Sequence, residues 1–304
     1  MYFQENKPLN IVLNDLFEHY RKNVVDVDKI TSALLENGVV KNQEDIVNDH
    51  IAFRTLGVPN LGIASFEKIF LAFGYTKRDY FNFEGKKLNA YWFSPPSIEY
   101  PRIFVSELRV DELSEQVQSI ISKYTSSISH DPVDALDMEN GREVASFLQR
   151  PLWDLPTSEE YKRLLEESEY AAWVIYNRYY LNHYTISIHE LKSGYNTLEE
   201  FNDFLISIGI KLNNSGGVIK TSADGLLRQS STVSALYEAE FSDGKTLEIA
   251  GSYVEFAERL VLPEFAHLEK EKLTSRHRRD GFETNNADKI FESTYTTQIK
   301  GNLY

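Results

Sequence analysis

Cysteine is absent from all 304 residues, which removes disulfides, thiolate metal sites and a cysteine nucleophile at one stroke. Any metal must be held by His, Asp or Glu. Apolar runs of membrane-spanning length are also missing, and residues 1–20 mix charged with apolar side chains, so neither a spanning segment nor a signal-peptide pattern is read here. The expectation is a cytoplasmic protein with no membrane partner. Positive charge is scarce, with Lys+Arg at 32 against Asp+Glu at 46 and a formal net charge of −14. That balance disfavours a phosphate backbone as partner, so no nucleic-acid binding is expected, and the acidity reads as a solubility feature. There is no phosphate-binding glycine loop, dinucleotide fingerprint, HExxH or GxSxG element, and nucleotide and serine-hydrolase chemistry lose support accordingly. What is present is ordinary for a globular chain: 42% hydrophobic and 26% charged residues, with length enough for a substantial core.

Two runs far apart carry the chemistry. In Asp49-His50-Ile51-Ala52-Phe53-Arg54-Thr55-Leu56, strand alternation puts His50, Ala52 and Arg54 on one face and Ile51, Phe53 and Thr55 on the other. In Asn182-His183-Tyr184-Thr185-Ile186-Ser187-Ile188-His189, His183, Thr185, Ser187 and His189 share a face. A third run, Gly251–Arg259, places Glu255 inside an apolar strand, with Glu258 out of phase and directed away. Two imidazoles and one carboxylate on strands are the ligand set of a non-haem Fe(II) site with open coordination positions. Arg54, inward beside His50, needs an anion, and its planar fork matches a carboxylate.

The chain reads as an α+β fold of two βαβββ copies separated by helices, here taken as one domain over 1–304. N-terminal helices at 9–21 and 27–37 lie within an opening segment 1–45. The first module, 46–110, has a strand at 50–56, a helix at 62–73 and strands near 75–82, 88–94 and 101–110. A helical connection, 111–178, includes Asp111–Tyr124 and Ser158–Asn177. The second module, 179–262, has a strand at 181–189, a helix at 197–208 and strands near 217–220, 226–233, 236–242 and 252–258, with Asp243-Gly244 marking a hairpin turn between the last strands. The C-terminal segment, 263–304, is polar, with helical character at 264–273 and no clear core pattern beyond.

Paired βαβββ units are the architecture of the vicinal-oxygen-chelate superfamily, in which two modules curl into a glyoxalase-like barrel around a divalent metal. The strand Tyr253–Arg259 resembles the metal-glutamate strand of 4-hydroxyphenylpyruvate dioxygenase. Together, the segments Asp49–Leu56, Phe104–Leu108, Asn182–Thr185, Gln229–Thr232, Gly251–Arg259, Arg278–Glu283 and Asn286–Phe291 resemble the 2-oxoadipate dioxygenase/decarboxylase family, also called hydroxyglutarate synthase. The resemblance implies Fe(II) held by His50, His183 and Glu255, with Arg54 on the substrate carboxylate. It implies a small 2-oxo dicarboxylic acid such as 2-oxoadipate and O₂ as partners, and 2-hydroxyglutarate and CO₂ as products.

Each assignment has a plainer competitor. His189, about 13 Å along an ideal strand from His183, reads as structural. Glu107 is taken to occupy in the first module the place of Glu255 in the second; it is either a fourth metal ligand, as in a glyoxalase, or a salt-bridge or helix-cap residue. Ser230 and Ser231, with Thr232, offer hydroxyls either to substrate or to backbone. The basic cluster around 276–283 is either a solvated loop or a pocket-closing element. An O₂-independent isomerase or lyase on the same barrel, and a non-catalytic small-ligand-binding protein, stand as the alternatives to the oxygenase.

Overall fold

A computed structural model describes residues 2–301. Two amphipathic helices, α1 (Pro8–Asn23) and α2 (Val25–Glu36), open the chain. The first module follows as β1 (Asn48–Leu56), α3 (Ile63–Ala72), β2 (Thr76–Phe83), β3 (Leu88–Ser94) and β4 (Arg102–Leu108). Helices α4 (Glu115–Thr125), α5 (Gly141–Gln149), α6 (Ser158–Glu167) and α7 (Glu169–Asn177) form the connection. The stretch read as one helix over 158–177 is two, because Ser168 leaves helical geometry and its hydroxyl accepts from Ala171 N to start the next.

The second module runs β5 (His183–Ser187), α8 (Leu198–Ser207), β6 (Lys220–Thr221), β7 (Leu227–Ser231), β8 (Leu236–Glu240), β9 (Thr246–Ala250) and β10 (Tyr253–Arg259). All but β8 and β9 join one eight-stranded sheet in the order β2-β3-β4-β1-β5-β10-β7-β6. Within each half the first and last strands are parallel, β1 with β4 and β5 with β10, while β1 meets β5 antiparallel at the centre. The two halves are therefore related by a pseudo-two-fold between β1 and β5, as a paired βαβββ fold requires. The strand expected at 236–242 lies outside the eight-stranded sheet: with β9, which the sequence reading missed, it forms a separate hairpin closed by Asp243-Gly244. That turn joins β8 to β9 and not to the last strand of the sheet.

Strand alternation explains how the sheet is covered. Phe53 on the outer face of β1 packs against Phe66 and Phe70 of α3, Tyr184 of β5 against Phe17 and Tyr20 of α1, and Phe256 of β10 against Phe201 of α8. With the outer face buried under helices, the inner face is left for polar side chains.

The C-terminal segment departs most from expectation. The stretch 264–273 holds only short 3₁₀ turns, at Pro263–Phe265 and Lys270–Lys272. Beyond it, α9 (Thr284–Ile290), a turn at Phe291–Thr294 and α10 (Thr296–Lys300) lie over the inner face, burying Phe282, Ile290 and Phe291. Three large apolar residues spread over ten positions are too few to announce themselves by periodicity.

Candidate metal centre

His50 of β1, His183 of β5 and Glu255 of β10 converge on the inner face, all buried, with their ligand atoms within 4.8 Å of one another. His183 Nε2 lies 3.1 Å from Glu255 Oε2, His50 Nε2 lies 3.5 Å from Oε1, and the two Nε2 atoms are 3.4 Å apart. The central pairing makes this meeting unavoidable, because β5 lies between β1 and β10 and sets His183 beside Ala52 on one side and Tyr253 on the other.

Each imidazole is aimed by the residue before it. His50 Nδ1 lies 2.8 Å from Asp49 Oδ2 and His183 Nδ1 lies 3.0 Å from Asn182 Oδ1. With Nδ1 donating to an oxygen, each neutral ring turns a bare Nε2 lone pair toward the other and toward Glu255. Three acceptors facing one another in a buried space repel unless a cation sits among them, so the donor set fits a divalent metal. The electrostatics agree. Burial works to lower the His50 pKa, but the Glu255 and Asp49 carboxylates raise it. Burial, with His50 and Arg54 nearby, pushes His183 well below the ordinary histidine value.

Several residues that support the site escaped the sequence reading. Gln229 of β7 donates to Glu255 Oε1 at 2.6 Å, and Thr185 Oγ1 lies 3.1 Å from His50 Nε2. Arg259, fully buried, grips Asp49 with Nε on Oδ1 at 2.6 Å and Nη2 on Oδ2 at 2.8 Å. Burial would raise the Asp49 carboxyl, but Arg259 and Arg102 hold it well below the usual carboxylate range. The other Arg259 donor, Nη1, binds the carbonyls of Arg279 and Gly281. The signal that could have found this arginine was its phase: Arg259 alternates with Glu255 and Ala257 on the inward face of an otherwise apolar strand.

Arg54 is 1% exposed on the same face as His50. It donates from Nη1 to Thr294 Oγ1 at 2.9 Å and from Nη2 to the Phe291 carbonyl at 3.0 Å, beneath the rings of Tyr170, Trp173 and Phe291. Its Nε has no hydrogen-bond partner, and no carboxylate among the described residues lies within ion-pair distance of it. A cavity of about 20 Å³ remains at the centre, bounded by His50, His183 and Glu255 and closed by Phe282, Ile290 and Phe291.

The remaining candidates fall outside the cluster. Glu107 does not hold the counterpart position of Glu255. Register sets it beside Thr55 on the outer face, where Oε2 accepts from Ile63 N at 3.0 Å at the start of α3. Gly62 just before it has φ +89°, and a Cβ there would meet that oxygen at 2.7 Å. The inward residue at the equivalent level of β4 is Phe104, which borders the cavity. Ser230 is likewise on the outer face, bonded to Asn202 of α8 at 2.8 Å, which removes it from any substrate contact; Ser231 faces inward but its hydroxyl meets Ser293 at 2.8 Å. His189 sits beyond the end of β5 on a 3₁₀ turn, accepting from Arg259 N at 3.2 Å. Glu258 points away, as its phase requires, to Leu198 N and Arg228. The basic segment 276–283 includes part of the closure: Phe282 packs edge-on against His50 at 4.8 Å between centroids.

A model of the 2-oxoadipate dioxygenase/decarboxylase family matches residues 12–268. The chain belongs to this family. It is 46% identical over 272 residues to the 2-oxoadipate dioxygenase/decarboxylase of Arabidopsis thaliana, covering 85% of this chain and 71% of that protein. A second family member, from Oryza sativa subsp. japonica, is 47% identical over 266 residues, 84% of this chain and 71% of that one. Among solved structures, the hydroxyglutarate synthase of Oryza sativa in complex with 2-oxoadipate superposes with a TM-score of 0.88 at 41% identity, covering 98% of this chain and 96% of that chain. A glyoxalase-superfamily protein from Ralstonia eutropha, at 18% identity, TM-score 0.67 and coverages of 86% and 87%, shares the fold. The expected cytoplasmic location is corrected by the same comparison, since the two plant family members are described as chloroplastic and as chloroplastic/amyloplastic. Among the described residues no helix is long and apolar enough to cross a membrane.

Proposed function

We propose that the protein is an Fe(II)-dependent dioxygenase/decarboxylase that converts a 2-oxo dicarboxylic acid such as 2-oxoadipate, with O₂, into 2-hydroxyglutarate and CO₂, with iron held by His50, His183 and Glu255. The observation that carries this is the placement of three convergent metal donors and a buried arginine without a carboxylate partner on one inner face. Family membership supplies the substrate class. Six carbons enter with one O₂ and leave as a five-carbon hydroxy acid and CO₂, so both oxygen atoms are retained in the products.

His50, His183 and Glu255 would hold the metal, which when bound would supply oxygen activation beside a polarised 2-oxo group. The protein does the rest by positioning. Asp49 and Asn182 hold the imidazoles with Nε2 forward, and Gln229 fixes one oxygen of Glu255. Arg54 binds a carboxylate of the substrate and sets its orientation, a role in which placement supplies much of the rate. The aromatic closure of Phe282 and Phe291 excludes water from the reacting centre. Phe104 bears on the isomerase alternative, since a phenyl ring at that level cannot complete a four-ligand glyoxalase centre.

The test is anaerobic loading with iron followed by O₂ uptake over a panel of 2-oxo acids, with the product identified by mass. Uptake matched by CO₂ release and 2-hydroxyglutarate from 2-oxoadipate is expected. Turnover without O₂ would transfer the protein to the isomerase or lyase class. His183→Ala should lower iron affinity at least about 10-fold, the scale already seen on losing a supporting residue, and full iron retention would remove the ligand assignment.

A further inference from the structure

Asp49 and Arg259 also line a second and larger space. A cleft of about 580 Å³, within the size range of small-molecule sites, opens between the ends of the central strands β1, β4, β5 and β10, the loop after β3 and the 275–280 segment. Its lining combines an apolar stretch, Pro95, Pro96 and Ile98, with the arginines Arg102, Arg276 and Arg278.

Its charge is opposite to that of the molecule. Four guanidinium groups line it, those of Arg102, Arg259, Arg276 and Arg278, against three carboxylates, Asp49, Asp280 and Glu190. The balance is 4 − 3 = +1 in a chain of net −14. His189, also on the wall, adds nothing at neutral pH, because burial and then Arg278 push its pKa down to about 4. Two of the carboxylates are already committed, Asp49 to Arg259 and Arg102 and Asp280 to Arg102, whereas Glu190, 3.5 Å from the uncharged His189, remains a negative charge on the rim. Arg276 and Arg278 have no carboxylate partner among the described residues. Arg278 donates from Nη1 to the Arg259 carbonyl at 2.8 Å, while its buried Nε has no partner. The edge of that guanidinium left over is the one that receives a carboxylate side-on.

We propose that this cleft is a second binding site, separate from the metal cavity, that takes a small organic carboxylate on Arg276 and Arg278 with its carbon chain along Pro95, Pro96 and Ile98. The arginines ask for a planar anion, and the apolar wall asks for carbon, which an inorganic anion lacks. A ligand here reaches the element that aims His50, since Arg278 holds the Arg259 carbonyl and Arg259 holds Asp49; this coupling rests on the metal-site reading above, whereas the site itself does not.

The test uses the metal-loaded protein and glutarate, a dicarboxylate with no keto group, in a calorimetric titration. Wild type and Arg54→Ala should bind glutarate equally, whereas Arg276→Glu should weaken binding at least about 10-fold, as loss of a charge-assisted contact predicts. Arg276 is exposed, so that variant folds, and Arg278→Gln should act in the same direction. Glutarate binding abolished by Arg54→Ala and untouched by Arg276→Glu would assign the ligand to the metal cavity and overturn the proposal. So would an absence of binding to wild type, or inorganic phosphate binding as tightly as glutarate.

Discussion

Glu107 and Glu258 occupy the same position in the two halves of the molecule. Glu107 on β4 accepts from Ile63 N, the first residue of α3, and Glu258 on β10 accepts from Leu198 N, the first residue of α8, at 3.0 and 3.2 Å. Each carboxylate caps the helix of its own module and sits against its positive end. The equivalence fixes an alignment of β4 with β10 in which the counterpart of Glu255, three residues before Glu258, is Phe104, three residues before Glu107.

Glu107→Gln should therefore keep iron content and turnover within a few-fold of wild type, and lower thermal stability by about 0.5–1 kcal/mol through the weakened cap. Metal analysis and a melting curve decide it. Loss of iron in this variant would mean that a carboxylate of the first module reaches the metal after all.

Asp49→Asn should be more damaging than its distance from the metal suggests. It leaves Arg259 buried with no carboxylate in its grip, a change of about 3–5 kcal/mol for a broken buried pair, and it weakens the hold on His50 Nδ1, for which a 10–100-fold loss of metal affinity is the usual scale. Iron affinity and stability measured on the same preparation should fall together. Arg259→Lys, with Asp49 in place, should keep the charge but not the two-pronged contact, and so lose only part of each.

Arg54→Ala should leave bound iron unchanged and raise KM for 2-oxoadipate or abolish turnover, since it deletes a charge-assisted contact worth roughly 1.5–3 kcal/mol. Arg54→Lys should rescue in part, because a point charge lacks the fork. Normal steady-state kinetics in the alanine variant would end the substrate-anchor assignment.

His189 gives the molecule an acid sensitivity. Burial and then Arg278 push its pKa in the folded chain down to about 4, below the ordinary histidine value of 6.5. Between these values the unfolded chain takes up a proton that the folded chain refuses, so stability is full above pH 6.5 and falls as pH drops toward 4, by about 3 kcal/mol for a shift of this size. Denaturant titrations at pH 7 and pH 4.5 should show the loss, and His189→Gln, which has nothing to protonate, should reduce it, leaving the part that buried His183 contributes. An unchanged pH slope in that variant would place the acid sensitivity elsewhere.

Much of this architecture was readable from the sequence, and the exceptions share a cause. Alternation in 50–56, 183–189 and 253–259 put His50, Arg54, His183 and Glu255 on one face because a strand has only two faces to choose between. Alternation also puts Asp49 opposite His50, which hid their contact. In the folded chain the β1–β5 register shifts between Asn48 and Ile51, and that irregularity lets the carboxylate turn back to the ring. Arg259 meets Asp49 across 210 residues, and no local pattern encodes such a pairing. The false equivalence of Glu107 with Glu255 came from matching residue type where phase should have decided. Ser230 was misplaced for the same reason, since its partner across β10 is the outward Phe256.

The grip of the 281–294 segment on Arg54 bears on the order of events in turnover. Phe291 and Thr294 occupy the guanidinium with a carbonyl and a hydroxyl, and the cavity that Phe291 helps to close, about 20 Å³, has room for little more than one water. A carboxylate is a better acceptor than either oxygen, so under the proposed function an arriving acid would have to take Arg54 from the chain that covers it. Initial-rate kinetics with both substrates varied should then fit an ordered scheme, with the organic acid adding before the gas.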